Sequence, residues 1–303
     1  MIDILMATYN GEKYIEEQII SILKQSVCDW NLIIQDDCSN DKTVDIIKKY
    51  AERYPDKIKY YLRKHQSGSA YKNFFSMIKY SNAEYVMFAD QDDVWKEDKI
   101  ESTLQCMKSL EKKYYDVPLL VYTDFIPVNK NLQPIGISWI EESQHSESAC
   151  KKEHIIVDNI GAGCTMMFNG LLRDKLHTLP DWCIMHDYWV ALVAAFFGKI
   201  SYLDKKTILY RQNESNVMGT RKNTIFWRFN IKRIINARKI LKDSCRKIKI
   251  FFTIYQSELS NYDKDMLQIY SDLYRHSWAV RIFYICKYDF WRQTFLAKLL
   301  QLF

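Results

Sequence analysis

Glycine and proline are scarce in this 303-residue chain, at 8 and 5 residues. That scarcity excludes collagen-like and low-complexity architectures. No segment approaches the ~20 consecutive apolar residues of a membrane-spanning helix; the longest candidate, Trp189 to Phe197, stops at Gly198 and Lys199. The N-terminus has no basic segment leading into a long apolar run, so no secretory leader is expected. The 8 cysteines stand singly, without a CxxC pair. Cys183 with His186 comes nearest to a metal-ligand spacing, and no second pair accompanies it. Reduced, mostly buried thiols in a cytoplasmic protein are expected. Neither GxGxxG nor GxxxxGK[ST] occurs, which argues against a dinucleotide-binding Rossmann domain and a P-loop ATPase. The absence of GxSxG counts against an α/β-hydrolase.

What is present is unevenly distributed. Hydrophobic residues make up 48% and charged residues 26%, the balance of a folded chain, and the length suits one large domain or two modest ones. Residues 221–303 hold 17 Lys and Arg against 6 Asp and Glu, a net charge of +11, and 17 of the aromatic residues. Residues 1–220 carry a net charge of −5. An acidic front is therefore joined to a basic, aromatic tail.

The front alternates between two periodicities. Ile2 to Thr8 reads as a buried strand ended by the turn signal Tyr9-Asn10-Gly11. Apolar residues at helical spacing follow over Glu12 to Gln25. Strands are predicted at Leu32–Ile34, Ile58–Leu62 and Tyr85–Ala89, and helices at Thr43–Tyr54 and Ala70–Tyr80. This β-α-β-α-β-α-β order predicts a mostly parallel sheet flanked by helices. Beyond it the alternation weakens. Further strands are expected at Leu119–Thr123, Cys164–Phe168, Lys199–Leu203 and Thr207–Tyr210, with a polar loop over Pro127–Cys150. From about Thr224 the chain reads as helix, with a break at Asn261-Tyr262-Asp263 and a resumption from Trp278 to Phe303.

Open parallel sheets bind ligands at the carboxyl ends of their strands. Three polar clusters are predicted there: Thr8-Tyr9-Asn10, Asp36-Asp37 and Asp90-Gln91-Asp92-Asp93. Carboxylates packed as closely as the last three repel unless a cation or basic group neutralises them. Hard oxygen ligands suit Mg²⁺ or Mn²⁺. An equally weighted reading is that Asp92 and Asp93 cap a helix beginning near Val94.

Met6-Ala7-Thr8-Tyr9-Asn10-Gly11, Gln35-Asp36-Asp37-Cys38-Ser39-Asn40-Asp41 and Phe88-Ala89-Asp90-Gln91-Asp92-Asp93-Val94-Trp95 resemble the successive signatures of family-2 glycosyltransferases with the GT-A fold. Gly161-Ala162-Gly163-Cys164-Thr165, His186-Asp187-Tyr188-Trp189 and Tyr210-Arg211-Gln212 resemble the bacterial rhamnosyltransferase branch. The resemblance covers roughly residues 1–220 and not the tail. It implies a GT-A catalytic domain over 1–220, with a nucleotide-sugar half at about 1–95 and an acceptor half at about 96–220. Residues 221–303 would form a separate helical region.

Such enzymes move a sugar from a nucleotide diphosphate donor to an acceptor hydroxyl with inversion. The resemblance implies dTDP-β-L-rhamnose as donor, Mg²⁺ or Mn²⁺ as cofactor, and a glycan or lipid-linked glycan of the cell surface as acceptor. Thr8 and Asp37 would contact the nucleobase, with Tyr9, Asn10, Asp36, Lys72 and Gln91 nearby. Asp92 would hold the metal, with Asp90 on the metal or the ribose, and Arg211 would lie near the diphosphate. Asp187, expected at the start of a helix that favours an ionised carboxylate, matches the catalytic base. Trp95, Gly163, His186 and Trp189 are acceptor-site candidates. Relatives often carry His after Arg-Gln, where this chain has Asn213. Another nucleotide-sugar donor, an inactive scaffold and a nucleotidyltransferase are the competing readings. The last would want an early basic Gly-rich loop, which Thr8-Tyr9-Asn10-Gly11-Glu12 lacks.

For the tail, a basic face opposite aromatic and aliphatic residues suits an anionic membrane surface. That places the protein on the inner face of the bacterial plasma membrane. Packing or homodimer formation through the C-terminal helices competes closely. Nucleic-acid binding is disfavoured because no binding module is recognisable. The membrane reading predicts that the protein pellets with anionic vesicles and that deleting 224–303 abolishes pelleting; equal pelleting of the truncated protein would contradict it.

Overall fold

A computed structural model describes residues 1–142, 147–176, 185–212 and 231–292, with 298 and 301. Two compact units are present. The first comprises Met1–Glu142, Gly161–Leu179 and Met185–Thr220; the second comprises Ser143–Ile160, Pro180–Ile184 and Arg221–Phe303.

The first unit is built on an eight-stranded sheet. Its opening run is β1 (Ile2–Thr8), α1 (Ile15–Leu23), β2 (Trp30–Asp36), α2 (Thr43–Arg53), β3 (Ile58–Leu62), α3 (Ala70–Met77) and β4 (Tyr85–Asp90). β5 (Val94–Trp95), α4 (Lys99–Lys113), β6 (Leu119–Val128) and the short α5 (Trp139–Glu142) follow. The sheet order is β3-β2-β1-β4-β7-β6-β8-β5, where β7 is Met166–Asn169 and β8 is Lys199–Arg211. β3, β2, β1 and β4 pair in parallel, as do β6 and β8, while β7 runs antiparallel to both its neighbours. After the helices α6 (Lys152–Ile155) and α7 (Gly170–Lys175), helix α8 (His186–Phe197) is buried from His186 through Ala194. A helix apolar nearly all round belongs inside a protein, so this one is core rather than a surface element.

The alternation of the first ninety residues matches the sequence pattern because each β-α step is locally encoded by period. Three differences follow from tertiary pairing. The strand predicted to stop at Thr123 continues to Val128, because its whole length ladders along β8. The two short strands predicted at 199–203 and 207–210 are one continuous strand, with the register irregularity near Asp124 absorbing the polar interruption at Asp204–Lys206. The expected helix at Val94 is the short β5 bonded to β8, and the helix starts only at Lys99, so Asp92 and Asp93 do not cap it.

In the second unit, helices Ile231–Tyr255, Asn261–Asp272 and Trp278–Tyr288 are described. Asn261-Tyr262-Asp263 opens a helix instead of breaking one: the Ser260 hydroxyl accepts from the Asp263 amide, an N-cap. The helix resuming at Trp278 ends at Asp289, in the left-handed conformation at φ 56°. Ion pairs Lys152–Asp263, His154–Asp289 and Arg292–Asp158 tie the segment around α6 (Lys152–Ile155) to these helices. Ser143–Ile160 belongs to the second unit, ahead of the boundary near 220 that the sequence suggested.

Gly198 ends α8 at a place where backbone passes backbone. An added Cβ would collide with the Pro118 carbonyl, whose oxygen accepts from the Lys199 amide at 2.9 Å. Gly198→Ala is expected to lower stability by about 1–3 kcal/mol in urea denaturation. Gly136→Ala, with open space around it, should change it by less than about 0.5 kcal/mol. Equal stabilities would contradict the close packing of this corner.

Candidate active site

The register of the parallel strands creates the site. Ala7 pairs with Asp90 and Thr8 with Asp36, so the polar ends of β1, β2 and β4 reach the same level. They open onto a cavity of about 480 Å³ in the first unit, where Thr8, Tyr9, Asp37, Asp90, Gln91 and Asp92 form part of the wall. Gly163, His186 and Asp187 complete it from the later half of that unit.

Loop contacts hold the strand ends in place. The Thr8 hydroxyl donates to Asp36 at 2.9 Å, and Asp36 accepts from the Ser39 amide at 2.8 Å. Asp36 therefore shapes its turn and stands behind the cavity wall. Gln91 brackets Tyr9, accepting from its amide at 2.9 Å and donating to its carbonyl at 3.0 Å. Asn10, at φ 47°, accepts from the Asn40 amide at 2.9 Å and so stitches the first loop to the second. Asp37 accepts from the Ser67 amide at 2.6 Å and hydroxyl at 2.7 Å, with Arg63 at 3.2 Å.

The carboxylates carry the electrostatics. Burial, then the Asp92 charge, raises Asp90 to about 7. Burial, then Asp90 and Asp92, pushes Asp93 well above the usual carboxylate range. Among the described residues, ligand atoms of Asp90, Asp93 and Cys164 lie within 4.8 Å of one another. Asp93 is fully buried and lies off the cavity, and the Cys164 thiol is pushed far up by burial, so it stays protonated. A hard cation prefers oxygen and needs access to its substrate. The residues that fit it are therefore Asp90 and Asp92, both on the cavity wall, with Asp93 and Cys164 lying behind them.

Arg211 does not face the cavity. It is buried, stacks over the Tyr14 ring, and donates from Nε to the Asp92 carbonyl at 2.9 Å and from Nη2 to Glu17 at 2.5 Å. Its amide donates to Asp93 at 3.2 Å. The guanidinium expected beside a diphosphate braces the Asp92-Asp93 turn from behind instead. Lys72 is exposed and off the cavity, while its neighbour Asn73 lines it. Trp95 and Trp189 are core residues at 2% exposure, not acceptor platforms. Asn213 lies outside the described residues.

Asp187 sits in the first turn of α8, lines the cavity, and accepts from the Tyr188 amide at 2.6 Å. His186 is buried between Phe74 (stacked, centroids 4.1 Å) and Phe88 (edge-on, 4.7 Å). Burial lowers its pKa to about 3, so the ring is neutral. Neither ring nitrogen has a hydrogen-bond partner. Gly163 is glycine because a Cβ there would strike the His186 ring. Sequence reasoning missed Lys99, fully buried with its ammonium 4.7 Å over Trp95 and lowered to about 8 by burial, although Asp93 and Cys164 oppose the shift. A Lys six residues after Asp93 in an otherwise ordinary helix start carries no signal of burial.

The comparisons agree with this geometry. The Glycosyl transferase family 2 signature matches residues 3–173. The chain is 32% identical over 226 residues to the dTDP-rhamnosyl transferase RfbG of Shigella flexneri, covering 71% of this chain and 73% of that one. It is 27% identical to the putative teichuronic acid biosynthesis glycosyltransferase TuaG of Bacillus subtilis, covering 77% and 89%. In structure it is similar to S. aureus TarS 1–349 in complex with UDP-GlcNAc, at TM-score 0.59 and 20% identity over 90% of this chain and 72% of that one. It is also similar to a mannosyltransferase from Pyrobaculum calidifontis in complex with GDP-Man and Mn²⁺, at TM-score 0.57 and 15% identity over 95% and 72%. A curled, mostly parallel sheet with its site at the β1, β2 and β4 ends is the GT-A fold, and the chain belongs to glycosyl transferase family 2.

The shift at Asp90 has a consequence for pH. An unfolded Asp releases its proton near 3.9 and the folded one near 7, so stability of the metal-free protein falls as pH rises from about 4 to about 7. A cation must displace that proton. Mn²⁺ affinity in titration calorimetry is expected to rise about tenfold from pH 6 to pH 8; equal affinities would contradict Asp90 as a ligand.

Proposed function

We propose that this chain transfers L-rhamnose from dTDP-β-L-rhamnose, with inversion, to a hydroxyl of a lipid-linked cell-surface polysaccharide. One observation carries the reading: a single cavity is lined by Asp90, Asp92 and Asp187 together. A divalent cation held by Asp90 and Asp92 supplies Lewis-acid neutralisation of the diphosphate. The protein's own contribution is a base placed for the acceptor. Single displacement needs a proton taken from the attacking hydroxyl on the face opposite the leaving group.

Asp187 is the group best suited to that proton. Asp37 is held by Ser67, and Asp90 and Asp92, on the cavity wall, would hold the cation. His186, neutral and caged by Phe74 and Phe88, shapes the floor. Its neutral ring adds no positive charge to compete with the cation. Tyr9, nearly half exposed at the rim, is placed to meet the nucleobase or sugar.

The rhamnosyl donor is supported by the likeness to RfbG, and the polysaccharide acceptor by the likenesses to RfbG and TuaG. A second reading, a different donor sugar, is favoured by TarS, whose structure holds UDP-GlcNAc, and by an Escherichia coli relative named as using UDP-Glc. Hydrolysis of dTDP-L-rhamnose, UDP-glucose and UDP-GlcNAc, each with Mn²⁺, separates the two.

Asp187→Asn is expected to bind the donor nucleotide as the parent does and to lose transfer by about 10²–10⁴-fold, the usual worth of a general base. Calorimetry with dTDP alongside a transfer assay reads both. Near-normal transfer would refute the role given to Asp187.

A further inference from the structure

The helical tail offers an apolar surface at a place other than where its sequence pattern put it. At helical spacing Cys245, Ile248 and Phe252 share one apolar side of the stretch after Thr224, and Phe252 is half-buried. In the structure, Cys245, Ile248, Phe251 and Tyr255 of the helix Ile231–Tyr255 are fully buried. The neighbouring helix Asn261–Asp272 buries Met266, Leu267 and Tyr270, and the Tyr270 hydroxyl meets Ser244 at 2.9 Å. That stripe is consumed by packing within the tail.

The helix Trp278–Tyr288 is arranged the other way round. Its inward side carries Arg281, Ile285 and Tyr288. At 100° per residue the opposite arc holds Ala279, Val280, Phe283, Cys286 and Lys287, all of them exposed, and Trp278 is exposed at the start of the helix. Phe283 is 60% exposed, Trp278 59% and Val280 38%. The charged residue of this helix is therefore turned inward at Arg281, while the solvent side is apolar apart from Lys287. A contiguous apolar arc in water marks an interaction surface.

Charge selects the occupant. Arg275, exposed and paired with Asp272 at 3.2 Å, lies just before this helix, and Lys287 lies on the arc. The exposed side of Ile231–Tyr255 carries Lys239, Lys242, Arg246 and Lys249. A second copy pairing through this face by two-fold symmetry would set like patches together, and residues 221–303 carry a net charge of +11. An anionic partner meets no such repulsion. Aromatic and aliphatic side chains on one arc, with Lys287 on the arc and Arg275 just before the helix, are what an interfacial helix presents to anionic lipid.

We propose that the helix Trp278–Tyr288 docks on an anionic lipid surface through Val280, Phe283 and their neighbours. The inference rests on the tail alone and not on the sugar-transfer reading. The test sediments the full-length protein with vesicles of phosphatidylcholine, with or without phosphatidylglycerol. The parent is expected to pellet with the anionic vesicles only. Val280→Ser/Phe283→Ser and Arg275→Glu/Lys287→Glu should each reduce pelleting about tenfold, with an unchanged melting temperature. Should the apolar variant melt early, the surface-charge variant decides. Donor hydrolysis, read in parallel, should be the same for all three proteins. Undiminished pelleting of both variants would overturn the proposal. So would a concentration-dependent dimer that Val280→Ser/Phe283→Ser dissociates without changing pelleting, which would give the face to a second copy.

Discussion

The structure turns on a repulsion. Asp90, Asp92 and Asp93 are brought together at the end of a central strand, where burial and mutual charge make full ionisation costly. Left alone, the cluster keeps protons. The surrounding architecture offsets the strain from behind: Arg211 grips the Asp92 carbonyl and donates its amide to Asp93, and the thiol of Cys164 and the ammonium of Lys99 lie close by. Among the described residues that line the cavity there is no Lys or Arg. On the proposed reading, a cation would lie at the front of the cluster, on Asp90 and Asp92.

That division explains why Arg211 stands where it does. A guanidinium on the cavity would compete with the metal for the same oxygens. Placed behind, with its planar fork shared between backbone carbonyls and Glu17, it fixes the turn that carries Asp92 on the cavity wall. The opposite wall follows a different logic. α8 is apolar along most of its length and buried, so it delivers Asp187 on a rigid support at its first turn. The cage of Phe74, Phe88 and Gly163 around a neutral His186 keeps that wall close-packed.

Much of this was legible in the sequence, for identifiable reasons. Strands such as Ile2–Thr8 and Ile58–Leu62 were readable to the residue because local period and flanking turn signals agree. The polar clusters at their ends could be placed on one edge because parallel topology allows no other arrangement. Burial was not legible. Trp95 and Trp189 have the composition of sugar-stacking residues and lie in the core; Lys72 has the chemistry of a phosphate ligand and points to solvent. The tail shows the same limit, since an amphipathic pattern states that a face is apolar but not what covers it. Of the two candidate faces there, one is filled by a neighbouring helix and the other is exposed.

The central claim is displacement by an acceptor activated on the face away from the diphosphate. Its stereochemistry is the direct readout. NMR of the product formed from dTDP-β-L-rhamnose should show an α-linked rhamnoside from the first turnover. A β-linked product would mean that the configuration is retained and that Asp187 does not act as the base of a single displacement.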